Sequence, residues 1–78
     1  MASPDNPGYA DICAVIRRTR LAVGWSQWKL AEAMTEQGFG WYQSTVNRTE
    51  TGGRELTWRE AIALSEMLGF DLREVLGV

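Results

Sequence analysis

From Ser26 to Gly53 the chain reads SQWKLAEAMTEQGFGWYQSTVNRTETGG. Two short helical patterns are joined here by a glycine-containing connection. The first puts Leu30, Ala31 and Met34 on one face, at spacings of three and four residues. Ser26 is a good N-cap for it, and the pattern predicts a helix reaching Met34 or Glu36. The second pattern predicts a helix over 43–51, stopped by Gly52-Gly53. Its one strongly apolar residue, Val46, sits among hydroxyls, amides and a cation. Such a helix buries little and displays many hydrogen-bonding groups. It suits a probe laid against a polar, patterned surface such as the major groove of DNA, where donors and acceptors are read.

The flanking segments extend the helical pattern in both directions. Met1 to Asn6 is small, polar and proline-containing, so residues 1–6 read as a flexible tail. Asn6-Pro7 signals a helix start, since proline's missing N–H costs nothing in a first turn. Ile12, Ile16, Thr19, Leu21 and Val23 then sketch a helix ending at Gly24. Arg17, Arg18 and Arg20 fall in its last turns, where cations either complement the helix dipole or reach a phosphate. Thr57 with Glu60 forms a capping box for a helix through Ile62, Leu64, Met67 and Leu68, which Gly69 ends. Asp71 with Glu74 repeats that pattern before a short last helix with Leu72, Val75 and Leu76. Strand alternation is absent. The pattern predicts an all-α fold, a compact five-helix bundle over residues 7–78.

Composition removes several kinds of chemistry. With one cysteine, Cys13, and no histidine, an internal disulfide, a cysteine-rich zinc site and histidine acid–base catalysis are excluded. Cys13 lies in an apolar-periodic stretch and reads as a small core residue rather than a nucleophile. No apolar run approaches the roughly 18 residues of a membrane span, and the N-terminus lacks a signal-peptide pattern. A cytoplasmic protein without metal or cofactor is expected. The net charge of -2 argues against strong non-specific attraction to a polyanion, but the charge is uneven. Up to Arg54 there are six cations against five acids, and after it two cations against five acids. One face can therefore be locally positive while the far end is acidic.

These residues together resemble the lambda repressor and Cro-like helix-turn-helix family, also called the XRE family. The resemblance covers roughly Ile16 to Leu76. It rests on Arg20, then Ser26-Gln27 with Leu30-Ala31, then Gln43 to Arg48, Glu50 and Gly52, and finally Leu64 to Phe70. It implies that Gln27, opening the second helix, bonds a DNA phosphate. A helix N-terminus with a side-chain amide favours an anionic oxygen, which agrees. It further implies that Gln43, Ser44, Thr45 and Arg48 read bases. Gln pairs with adenine and Arg with guanine, while Ser and Thr accept either partner or touch a thymine methyl. Asn47, Tyr42 and Arg17 are candidates for backbone contact. Arg20 and Glu50 occupy positions that form an inward-facing ion pair in the family. The sequence departs from the family twice. Residues 35–41 are about five longer than the tightest family turn, and Tyr42 stands where a capping Ser or Thr is common.

Four tryptophans remain. Trp41 is expected to pack under the connection, and Trp28, off the Leu30–Met34 face, to be partly exposed. The function expected is a sequence-specific double-stranded DNA-binding regulator, a prokaryotic or phage repressor acting by occupying its operator. The alternative is an antitoxin-like or adaptor module that keeps the fold to bind protein. Nothing in the sequence points to an enzyme or a small-molecule ligand. Phe70, Leu72, Val75, Leu76 and Val78 form a candidate surface for a weak homodimer on a palindromic site, or else close the core of a monomer.

Overall fold

The computed structural model describes the backbone of residues 7–76 and their side chains, save those of 7–11, Glu74 and Leu76. The expected tail over residues 1–6 lies outside the described residues. Ordered structure consists of α1 (Pro7–Ala22), α2 (Gln27–Glu36), α3 (Gln43–Thr51), α4 (Trp58–Leu68) and the short α5 (Leu72–Leu76). No strand occurs among the described residues.

The helix ends follow local chemistry. The Ser26 Oγ accepts the Lys29 N–H at 3.0 Å, and the Thr57 hydroxyl accepts the Glu60 N–H at 3.1 Å. Glu60 returns the bond by accepting the Thr57 N–H at 2.9 Å, completing the box. After Glu36 the Gly38 N–H donates to Thr35 O at 2.9 Å, and the Phe39 N–H to Met34 O at 3.1 Å. This paired termination needs a left-handed residue, and Gly38, at φ +99°, supplies it. The extra residues before α3 are thus divided between an α2 extended to Glu36 and a glycine-bearing connection over residues 37–42.

α2 packs most extensively on α3, and α1 crosses α3, α4 and α5. Between them Ile12 and Ile16 of α1, Leu30, Ala31 and Met34 of α2, Val46 of α3, and Ala61, Leu64 and Leu68 of α4 form one core, joined by Trp41 from the connection. Ile16, Leu30, Met34 and Leu64 are fully buried, each contributing about 1.5–3 kcal/mol of transfer free energy. The radius of gyration, 11.7 Å, is close to the roughly 11.5 Å of a compact chain this long.

Two expectations for α1 are corrected. It ends at Ala22, not Gly24, and Leu21 and Val23 are 52% and 46% exposed. Its inward face runs Ile12, Ile16, Arg20 at intervals of four, with Cys13 and Val15 beside it. The last inward position is therefore taken by an arginine, and Leu21 is rotated to solvent. No helix among the described residues is long and apolar enough to cross a membrane.

Candidate nucleic-acid interface

α3 divides cleanly into two faces. Val46, Thr49 and Glu50 are buried, while Gln43, Ser44, Asn47, Arg48 and Thr51 are exposed. The helix starts where the spacing predicts although Tyr42 makes no side-chain cap. Backbone geometry substitutes for the cap: the Tyr42 carbonyl accepts the Thr45 N–H at 2.9 Å and the Val46 N–H at 3.2 Å. In return the Thr45 hydroxyl accepts the Tyr42 N–H at 3.1 Å. Thr45 is half-buried with its oxygen engaged at the helix start, so it stands at the edge of the exposed face. The Tyr42 side chain is 75% exposed.

A chain of side-chain hydrogen bonds runs from the core to this face. Arg20 and Glu50 meet as a fork, Nε to Oε2 at 2.6 Å and Nη2 to Oε1 at 3.1 Å, with side chains 7% and 1% exposed. The guanidinium also donates to Trp25 O at 2.8 Å. A bidentate, charge-assisted pair of this kind withstands burial because each charge meets oriented partners. Glu50 Oε1 then accepts from Gln27 Nε2 at 3.2 Å, and Gln27 Oε1 accepts from Gln43 Nε2 at 2.6 Å.

Direction along that chain follows from chemistry. An ionised carboxylate only accepts, so Gln27 must present its NH2 to Glu50 and its oxygen to Gln43. Gln43 spends one N–H on Gln27 and keeps its oxygen and a second N–H, the pair that complements an adenine edge. Gln27 is thus more than an isolated residue at a helix N-terminus. It joins the core ion pair to the first residue of α3.

Other expected residues take separate places. Arg17 and Arg18 are exposed on α1, whereas Arg20 is buried. Phe70, Leu72 and Val75 are half-buried and pack against the core, on the inward side of the C-terminal segment. The side chains of Leu76 and Val78 lie outside the described residues. Cys13 is buried.

The second polar cluster was only half visible in the sequence. Trp41 is buried and its indole N–H donates to Glu60 Oε2 at 3.0 Å. Arg54 Nη2 reaches the same carboxylate at 3.1 Å, its Nη1 donates to the Thr49 hydroxyl at 3.2 Å, and its guanidinium stacks 5.3 Å from the Trp41 ring centre. Glu60 therefore caps α4 and also ties that helix to the connection and to α3. Burial pushes its carboxyl pKa up, but the Thr57 N–H, Arg54 and Trp41 together outweigh this and hold it below its ordinary value. The capping pattern identified Glu60. The signal for its second role was the buried indole, which needs an acceptor.

No protein-family model, curated protein or solved structure matches this chain.

Proposed function

We propose that this protein is a sequence-specific double-stranded DNA-binding regulator of the lambda repressor and Cro-like kind, acting as a repressor by occupying its operator. One observation carries the reading. α3 exposes Gln43, Ser44, Asn47 and Arg48 on one face while Val46, Thr49 and Glu50 fix the other in the core, and Gln43 is oriented by Gln27. In this mechanism α3 enters the major groove and the N-terminus of α2 lies over the backbone, as in helix-turn-helix proteins generally. Gln43 and Arg48 discriminate bases, with Ser44 beside them. Asn47, Tyr42 and Arg17 reach phosphates. Bound protein then blocks access to the promoter.

Selection of duplexes from a random pool, followed by binding at several salt concentrations, tests the proposal. Gln43→Ala or Arg48→Ala should each weaken the selected site by about 1–3 kcal/mol and relax preference at one base pair. Gln27→Ala should relax preference at the Gln43 base pair as well, because it frees that amide. Wild-type binding by both Gln43→Ala and Arg48→Ala would exclude α3 as the reader. Absence of any salt-dependent duplex binding would favour the protein-binding alternative, which the net acidity supports.

A further inference from the structure

Between the outer face of α2 and the start of α3 lies a cleft of about 590 Å3, lined in part by Trp28, Glu32, Glu36, Trp41 and Tyr42. That volume is in the range of roughly 300–1,000 Å3 typical of small-molecule sites. Trp28 and Tyr42 are 71% and 75% exposed. Neither covers the core, and both stand on the walls of one concavity. No lysine or arginine is among the lining residues. The neighbouring Lys29 lies 3.6 Å from Glu32 Oε1 and 5.7 Å from the centre of the Trp25 ring, so it offsets the Glu32 charge and leaves Glu36 to supply the negative charge of the cleft. The cleft therefore combines aromatic side chains, whose faces carry negative quadrupole potential, with the carboxylate of Glu36.

We propose that this cleft binds a small organic ammonium cation. Trp28 and Tyr42 supply π faces to the alkylated nitrogen, and Glu36 supplies the countercharge. Apolar substituents on the nitrogen suit the aromatic lining, and a permanent positive charge suits the carboxylate. Phosphate is the opposite case, since the Glu36 carboxylate repels it. The cleft adjoins the exposed face of α3, because Gln43 and Ser44 also line it. The proposal rests on the cleft alone and holds whether or not α3 reads DNA.

Choline and 3,3-dimethylbutan-1-ol differ in having nitrogen or carbon at the quaternary centre, so together they isolate the charge. Each is titrated into the 78-residue protein at fixed ionic strength, and the tryptophan indole N–H resonances are followed by NMR. Trp58, 63% exposed and outside the cleft, is the control for non-specific contact. Choline should shift the Trp28 resonance saturably and leave Trp58 unmoved, with a midpoint about ten-fold below that of the neutral alcohol. Glu36→Gln should raise the choline midpoint several-fold and leave the alcohol midpoint unchanged. Glu36 is exposed, so the variant folds. Equal midpoints for the two compounds, parallel shifts of Trp28 and Trp58, an unaltered choline midpoint in Glu36→Gln, or no shift at all would each overturn the assignment.

Discussion

Glu50 and Glu60 are both buried carboxylates served by an arginine, yet they perform different tasks. Glu50 holds Arg20 on one side and Gln27 on the other, so removing Arg20 leaves a buried charge with the neutral Gln27 amide against it. Breaking a buried pair from one side costs about 3–5 kcal/mol. For a domain this small, Arg20→Ala should lower Tm by roughly 12 °C or more. Arg17→Ala and Arg18→Ala, on the exposed side of α1, should stay within about 0.5 kcal/mol of wild type. Equal, small shifts for all three in thermal melts would remove the pair from the account. Glu60 makes a prediction about pH. Its carboxyl pKa is depressed in the fold, so its stabilisation is complete above the ordinary value of 4.5 and is lost as pH falls through the lower folded value. Glu60→Gln cannot ionise. It should cost about 1.5–3 kcal/mol at neutral pH through weakened charged hydrogen bonds. The difference from wild type should shrink below pH 4.5, which urea melts at pH 7 and at acid pH would detect.

At the scale of the helix, the glycines on either side of α3 give a clean comparison. Gly38 has φ +99° and Gly40 φ +68°, and an added Cβ at either meets nothing within 4 Å. The cost of Gly38→Ala is therefore backbone strain alone, about 1–2 kcal/mol. Gly53 has no left-handed backbone, and a Cβ there meets Arg48 at an ordinary 3.7 Å. Gly53→Ala should be neutral or slightly stabilising, by up to about 1 kcal/mol. Equal losses in the two variants, read by calorimetry, would contradict this. The same elements show what the sequence could reveal. Ser26, Thr57, Gly52 and Gly69 mark helix ends through local hydrogen bonding and backbone preference, so the bounds of α2, α3 and α4 were legible. The polar run around Val46 likewise marked the exposed side of α3. The end of α1 was misread because Leu21 and Val23 are apolar; the inward place of Arg20, paired with Glu50 thirty residues away, was implied by the family resemblance alone. No local pattern encodes that distance. Nor does any encode the cleft, whose Trp28 and Tyr42 walls come from different elements.

On the scale of the whole molecule, stoichiometry is the open consequence of size. In the proposed DNA-binding role a single domain of this size covers about half a turn of duplex, and the acidic stretch after Arg54 adds little attraction. We expect a monomer in isolation and two copies on a palindromic site, with half-sites about one helical turn apart. Phe70, Leu72 and Val75 already pack inward and offer only their exposed portions to a partner, which favours a weak contact assembled on DNA. Ultracentrifugation with and without the selected duplex checks this, and one copy per duplex on an asymmetric site would exclude the dimer. The two faces of α3 have a further meaning for how such a protein changes over time. Foldability depends on Val46, Thr49 and Glu50, whereas the chemistry offered outward resides in Ser44, Asn47 and Arg48, which are exposed. Retargeting and survival are thus written in different letters of one nine-residue word. A library randomised at the outward three should retain folded members in abundance, while one randomised at the inward three should retain few. If α3 reads DNA as proposed, a lineage carrying this helix can change its target without first becoming unstable.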